Sequence, residues 1–235
     1  MSNETIDTPQ RLARFGLPNL KGSLFIITYG RSGSTLLQSL LHTIPGAHLT
    51  GENYNVLAFV FRASHRAHLT KREWGQKPKP GNHPWYGADA VMPQRFERGM
   101  INLFVRDLIQ PPTNARWIGF KEIRYPAVGD DLPRFLTFLR RSFPNAHVVF
   151  NSRDPRKVAK SRWWANKPRK DVIKMVTECD ARFATYAAAN PDHAIHVHHE
   201  NTVSDPESLR PVFEMLDEPF DLDRINEVLA QPLTH

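Results

Sequence analysis

The chain alternates short apolar runs with longer segments in which apolar residues recur every three or four positions. Residues 24–29 are nearly all apolar and predict a buried strand, and the leucines that follow predict a helix over residues 34–44. The same reasoning predicts strands at residues 47–50, 116–126, 146–150 and 193–199, and helices at residues 54–69, 94–109, 132–143, 170–189, 205–216 and 222–230. This alternation predicts an α/β fold, a three-layer sandwich around a mainly parallel sheet.

The length of the chain favours one domain over residues 1–235, because 235 residues are enough to bury a full core. Residues 1–20 are predicted to be an extended lead-in. Residues 70–93 hold four prolines and three glycines and predict a long irregular loop. Loops of this length in compact domains are usually functional, so this one is a candidate lid over a bound substrate.

The charge balance indicates an anionic ligand. The net charge is +7, but the basic residues are scattered over the chain instead of forming blocks, so we expect a small anion in a basic cleft and no nucleic-acid partner. No run approaches the roughly 20 apolar residues of a membrane span. The single cysteine, Cys179, cannot form an internal disulfide. These features predict a cytoplasmic protein without a membrane span.

The segment from Gly30 to Thr35, with the sequence GRSGST, joins the first predicted strand to the first helix. Glycines there allow a tight turn, and the amides of Ser32, Gly33, Ser34 and Thr35 would face an oxyanion at the helix start. A nucleoside triphosphatase loop requires GxxxxGK[ST], with a lysine on the outer phosphates. Here Arg31 takes the cationic role and no lysine is present, which argues against magnesium-dependent hydrolysis of ATP. A tight turn before a core helix is the alternative interpretation.

A second candidate anion site follows the strand at residues 146–150, in the segment FNSRDPRKVAKS. Arg153 is predicted at the carboxyl end of that strand, Asp154 as a helix N-cap and Pro155 as the first helical residue. Ser161 is predicted about two turns into the helix. Open α/β sheets bind ligands at the carboxyl ends of their strands, so Arg153 and Ser161 could share a second phosphate. The alternative is that Arg153 pairs with Asp154 and that Ser161 is a surface residue.

Together the two segments resemble the sulfotransferases that use 3′-phosphoadenosine 5′-phosphosulfate, which have a P-loop-like fold. The stretch YGRSGSTLL is similar to their loop for the 5′-phosphosulfate, FNSRDPRKVAKS to their 3′-phosphate site, and residues 196–221 to a late strand and helix pattern. The resemblance implies this nucleotide as co-substrate, with neither Mg²⁺ nor a loop lysine. The loop arginine and the following AHLTGENYN look most like the bacterial carbohydrate and tyrosylprotein branches.

In the tyrosylprotein branch an acidic residue after the second strand serves as base, and Glu52 matches that position. The resemblance therefore implies Glu52 as general base and Arg31 as the cation that stabilises sulfuryl transfer. A helix-capping role for Glu52, and His48 as the base, stay open. Lys121 and Arg124 could neutralise the sulfate, grip the acceptor or simply be surface charges.

Other residues are assigned no chemistry. His196, His198 and His199 would alternate across a strand and could not converge on a metal, so no metal is predicted. Trp163 and Trp164 could flank the adenine but are more often core residues, and the adenine pocket is left unassigned. The predicted acceptor is a hydroxyl of a sugar or another alcohol. A non-catalytic nucleotide- or polyanion-binding module and a nucleotide kinase are the alternatives, and no oligomeric state is predicted.

Overall fold

The structure, a computed structural model, describes residues 14–231. Its strands are β1 (Gly22–Ile27), β2 (Ala47–Thr50), β3 (Trp117–Glu122), β4 (Ala146–Ser152) and β5 (Ala194–His198). They form one sheet in the order β2–β3–β1–β4–β5, and every neighbouring pair is parallel. Parallel pairing brings all the carboxyl ends to one edge of the sheet, where β1, β3 and β4 end side by side.

Helices cover both faces of this sheet. They are α1 (Ser34–Leu41), α2 (Val56–Trp74), α3 (Pro93–Phe104), α4 (Leu132–Ser142), α5 (Pro155–Ala159), α6 (Arg169–Ala189), α7 (His199–Ser204), α8 (Arg210–Met215) and α9 (Leu222–Leu229). One apolar cluster joins the sheet to α2, α3, α4 and α6, and a second joins it to α1, α8 and α9. Two separate cores on the two faces make a three-layer α/β sandwich, which confirms the predicted fold class.

Several predicted boundaries differ from the structure. The first helix ends at Leu41 instead of residue 44, and the segment predicted as a helix over 94–109 closes in a π-helical turn, Val105–Ile109. The predicted irregular loop is shorter than 70–93, since α2 continues to Trp74 and α3 begins at Pro93. Trp74 then stacks on Trp85, with ring centroids 5.2 Å apart, so the remaining segment is packed against the end of α2.

The predicted lead-in lies mostly outside the described residues. Its described part, residues 14–20, is turn structure that buries Leu17 and Leu20 in the first core cluster. Cys179 is likewise a core residue, and burial raises the pKa of its thiol to about 11, which leaves it protonated at neutral pH. The single-domain organisation over residues 1–235 stays a prediction.

Candidate active site

The loop between β1 and α1 is a tight turn with two residues in the left-handed region. Arg31 has φ 71° and Gly33 has φ 83°, and Gly33 is the N-cap of α1. No side chain caps this helix, and the amides of Ser34 and Thr35 at its start are left for another partner. The Ser32 hydroxyl is buried and lacks a hydrogen-bond partner among the described residues. The loop therefore combines free backbone donors with an unsatisfied side-chain donor, as an anion site requires.

Side chains from β4 hold this loop in place. The Asn151 amide donates to the Ser32 carbonyl at 2.9 Å, and the Thr28 hydroxyl donates to the Asn151 carbonyl at 2.6 Å. Arg153, just after β4, donates from Nη1 to the Arg31 carbonyl at 3.3 Å. The Tyr29 hydroxyl accepts from the Arg153 amide at 3.0 Å. The loop and Arg153 thus form one hydrogen-bonded unit at adjacent strand ends.

The second predicted anion site differs from expectation in one respect. Asp154 caps α5 by accepting from the amides of Arg156 and Lys157, and Pro155 is its first residue, as predicted. However, α5 ends at Ala159, so the prediction that Ser161 lies two turns inside a helix is wrong. Ser161 instead caps a short 3₁₀ turn, Arg162–Trp164, and accepts from the Trp163 amide at 3.4 Å.

Cations and one carboxylate surround Arg153. Glu200 at the start of α7 lies 3.3 Å from Lys157 Nζ and 4.0 Å from Arg153 Nε, and it accepts from the Asp154 amide at 3.2 Å. Arg153 Nε itself is buried and lacks a hydrogen bond among the described residues. Burial opposes ionisation of Glu200, but the Asp154 amide and Lys157 outweigh it and lower its pKa. The carboxylate is ionised at neutral pH and competes with any anion for Arg153 and Lys157.

His199 lies directly against the turn. A Cβ added to Gly33 would be 2.3 Å from His199 Nδ1, so only glycine leaves room for the ring. Burial, together with the charge of Arg153, lowers the pKa of His199, and the ring is neutral at pH 7. The prediction that His199 continues a strand is wrong, since β5 ends at His198. A neutral imidazole beside the anion loop is a donor that the sequence interpretation missed.

Glu52, on the loop after β2, lies between two cations. Lys121 Nζ is 2.8 Å from Glu52 Oε1, and Arg124 Nη1 is 3.0 Å from Oε2. Partial burial raises the pKa of Glu52, but these two cations outweigh burial and hold the pKa below its ordinary value. Lys121 is only 7% exposed, so it belongs to the site and is not a surface charge.

The buried carboxylate of Glu122 organises this part of the site. It accepts from the backbone amides of Asn53 and Asn55 through Oε2, and from the amide of Ile123 and the guanidinium of Arg124 through Oε1. The Glu52 loop and Arg124 are therefore held by the same fully buried group. His48 has a different environment, since its Nε2 lies 2.8 Å from the Ile109 carbonyl at the end of the π-helical turn.

An apolar cleft of about 450 Å³ opens between the loop and the Glu52 cluster. Trp164 Nε1 donates to the Gly30 carbonyl at 3.2 Å, and Trp163 is 57% exposed beside it. We call this space the tryptophan cleft; it is lined by Gly30, Ile123, Arg124, Pro126, Ala127, Trp163, Trp164, Lys167 and Met175. Gly30 and Arg124 face the same cleft, so it connects the anion loop to the side chain that holds Glu52.

A polar network lies beneath the loop. Ser152 donates to Asp180, so the neutral His196 ring must donate from Nε2 to the same hydroxyl. Burial, helped by the charge of His198, lowers the pKa of His196 to about 4. Burial and the charge of Asp180 raise the pKa of Tyr29, which keeps its hydroxyl protonated for its bond to Arg153.

Between residues 14 and 231, no group of three His, Cys, Asp or Glu side chains is arranged to hold a metal ion. In the same part of the chain no helix is both long and apolar enough to cross a membrane.

Fold and site together define an α/β protein with a candidate anion-binding turn at the tips of parallel strands and no lysine in that turn. A sequence model described as the sulfotransferase family matches residues 23–222. The chain therefore belongs to the sulfotransferase family, as its motifs predicted. No curated protein sequence matches it.

Two sulfotransferase domains of known structure share this fold. The sulfotransferase domain of the Synechococcus PCC 7002 olefin synthase has a TM-score of 0.60 and 18% identity, covering 91% of this chain and 79% of the other. The sulfotransferase domain of the curacin biosynthetic pathway has a TM-score of 0.56 and 17% identity, with the same coverage. A crystal structure of retinol dehydratase with androsterone and the inactive cofactor PAP gives a lower TM-score of 0.41 at 14% identity, covering 92% of this chain and 65% of the other.

Proposed function

We propose that the protein transfers a sulfuryl group from 3′-phosphoadenosine 5′-phosphosulfate to a hydroxyl acceptor, a sugar or another alcohol. The observation that carries the proposal is the 3.3 Å bond from Arg153 to the Arg31 carbonyl. It joins two candidate oxyanion sites at the ends of β1 and β4, and a donor nucleotide with phosphates at both its 3′ and 5′ positions needs two such sites close together. Sulfotransferase family membership supplies the reaction class.

The residues of the site suit this donor. The buried and unsatisfied atoms Ser32 Oγ and Arg153 Nε each lack a partner that a phosphate oxygen would provide. In the proposal Arg31, Ser32, Gly33, Ser34 and Thr35 hold the 5′-phosphosulfate, with the helix start adding positive potential. Arg153 and Ser161 hold the 3′-phosphate, and Glu200 must release Arg153 for this to happen.

The transfer itself requires a base and a cation. The acceptor oxygen forms a bond to sulfur, the bond from sulfur to the bridging oxygen of the 5′-phosphate breaks, and the hydroxyl proton passes to Glu52. Negative charge that develops on the departing oxygen is stabilised by Arg31 and the loop amides. Lys121 and Arg124 keep Glu52 ionised, and Lys121 would turn toward the sulfuryl oxygens once Glu52 is protonated.

The tryptophan cleft is the proposed path of the acceptor. Its lining is largely apolar, with Trp163 exposed on one side, and an aromatic face suits either a sugar ring or an apolar alcohol. A hydroxyl at its inner end would lie between Gly30 and Arg124, next to both the loop and Glu52. The cytoplasmic location stays a prediction.

Ligand-dependent melting tests the donor assignment. Adenosine 3′,5′-bisphosphate at 100 times its dissociation constant should stabilise the fold by about 2.7 kcal/mol, while ATP at the same concentration should have little effect. A shift with ATP alone would instead indicate a nucleotide kinase. Transfer is then tested with the phosphosulfate donor by mass spectrometry, where a gain of about 80 Da on an alcohol marks an added SO₃ group. Binding of the bisphosphate without transfer to any alcohol would favour a non-catalytic module.

A further inference from the structure

A second cavity lies between α2 and the start of α4, and none of its lining residues belongs to the loop between β1 and α1. It measures about 420 Å³, and we call it the basic hollow; it is lined by Phe61, Arg62, His65, Arg66, Asp131 and Arg134. Arg62, His65 and Arg66 are three and four positions apart on one helix, so they share a face. Arg134 reaches that face from α4 and lies 3.2 Å from His65 Nε2.

The charges of the basic hollow are not balanced within the protein. Asp131 is its only carboxylate, and Arg134 already holds it at 3.0 Å. No acidic side chain of residues 14–231 lies within ion-pair distance of Arg62 or Arg66. Burial, together with Arg134 and Arg66, lowers the pKa of His65, as expected where positive potential accumulates. Arg62 and Arg66 repel each other four positions apart on the helix, so this arrangement does not serve helix stability.

Shared lining residues relate the basic hollow to the candidate active site. A smaller space of about 150 Å³ is lined by both Arg62, which also lines the basic hollow, and Arg124. Arg124 and Ala127 also line the tryptophan cleft, and Arg124 holds Glu52. Arg66 lies ten positions after Val56, the first residue of α2, which corresponds to about 15 Å along the helix axis at 1.5 Å per residue. A ligand that reaches from Glu52 to the basic hollow must therefore be extended.

We propose that the basic hollow binds an oxyanion group of an extended acceptor, a chain-like alcohol with a carboxylate, sulfate or phosphate about 15 Å from the hydroxyl that reacts. The inference rests on the proposed function, because it describes the ligand as the acceptor of the sulfuryl group. Guanidinium groups hold such oxyanions in a fixed two-pronged geometry, which explains why three arginines line the cavity. The spacing favours a chain of several units over a small molecule with one charge.

Calorimetric binding to three probes tests this inference, with the donor site saturated by adenosine 3′,5′-bisphosphate. The probes are a chondroitin 6-sulfate hexasaccharide, the neutral maltohexaose and glucose 6-phosphate. We expect the hexasaccharide to bind most tightly, and the double variant Arg62→Gln/Arg66→Gln to bind it about tenfold more weakly. The matched control Arg95→Gln/Arg98→Gln removes the same charge from exposed positions of α3 and should bind as the wild type does.

The results separate this inference from the proposed function. If both double variants lose the same affinity for the hexasaccharide, the effect comes from the overall charge of the protein and the inference is overturned. Equal binding of maltohexaose and the charged hexasaccharide would also overturn it, even if the bisphosphate binds normally. If glucose 6-phosphate binds as tightly as the charged hexasaccharide, the inference that the acceptor is an extended chain is overturned. If the bisphosphate does not bind but the hexasaccharide still depends on Arg62 and Arg66, the proposed function fails and the anion-binding surface stands.

Discussion

Replacement of Arg153 by alanine tests the most specific part of the proposed site, the assignment of Arg153 to the 3′-phosphate. The side chain donates to the Arg31 carbonyl, and its buried Nε lacks a partner among the described residues. In the proposal that nitrogen and its neighbours bind the 3′-phosphate. Adenosine 5′-monophosphate lacks this group, so Arg153→Ala should weaken the bisphosphate much more than the monophosphate.

The structure sets the size of the effect. A hydrogen bond to a charged group contributes about 1.5–3 kcal/mol. Because Glu200 lies 4.0 Å from Arg153 and competes with the phosphate, the lower end applies, about 1.5 kcal/mol or roughly tenfold in affinity. At a ligand concentration 100 times the wild-type dissociation constant, stabilisation should fall from about 2.7 to about 1.4 kcal/mol. For a chain of this size that difference lowers the ligand-induced melting shift by about 3–5 °C.

Calorimetry with both nucleotides on Arg153→Ala, the wild type and Arg95→Ala gives the comparison. Arg95 is an exposed arginine on α3, so its replacement controls for the change in net charge. The monophosphate should also bind more weakly, but only by about twofold, because the lost bond to the Arg31 carbonyl orients one loop amide, that of Ser32, while Asn151 still holds the Ser32 carbonyl. Equal losses for both nucleotides would place Arg153 away from the 3′-phosphate and refute the two-site argument.

Further predictions concern the base, the turn and the buried network. Glu52→Gln should keep the melting shift with the bisphosphate but lower the rate of transfer by about 10²–10⁴, and an unchanged rate would remove the base role. Because Lys121 and Arg124 hold the pKa of Glu52 below its ordinary value, kcat/KM should stay level as pH falls from 7 to about 5, and its acid limb should lie below the ordinary range of a glutamate pKa. Gly33→Ala should abolish bisphosphate binding because its Cβ meets His199, whereas Gly87→Ala, at a similar φ of 81° with no neighbour within 4 Å, should only lower the melting temperature. The folded-state pKa of His196 is about 4, below its unfolded value of 6.5, so the unfolded state binds more protons between these values. The free energy of unfolding should fall as pH drops from 6.5 to 4, and urea titrations of His196→Asn should lack that contribution.

Local sequence patterns were enough to predict those parts of the site that lie between one strand and the helix that follows it. The turn at residues 30–35 and the Asp154–Pro155 helix start depend on neighbouring residues, so their spacing predicts them. Ser161 was misplaced because a helix of only five residues ends at Ala159. Its own preference for capping positions was the signal that a new turn begins there.

Contacts between segments that are distant in the sequence could be predicted only with knowledge of the strand order in the sheet. Glu52 meets Lys121 only because β2 lies beside β3, with Thr50 opposite Phe120. His199 reaches Gly33 only because β5 runs parallel to β4 and ends at the same edge of the sheet. If the last strand had been predicted to end at His198, the position of His199 would have followed, because the residue after a parallel strand lies at the same edge of the sheet as the other strand ends.

The fixed orientation of two peptide groups explains how the turn can bind an anion without a lysine. In a planar trans peptide the carbonyl and the next amide point in opposite directions. Arg153 fixes the Arg31 carbonyl toward β4, and Asn151 fixes the Ser32 carbonyl the same way. The amides of Ser32 and Gly33 must then point away from β4, into the space where an anion would lie. The residue that contacts the 3′-phosphate in the proposal thus also orients the donors for the 5′ end, so the two ends of the nucleotide are recognised by one coupled unit.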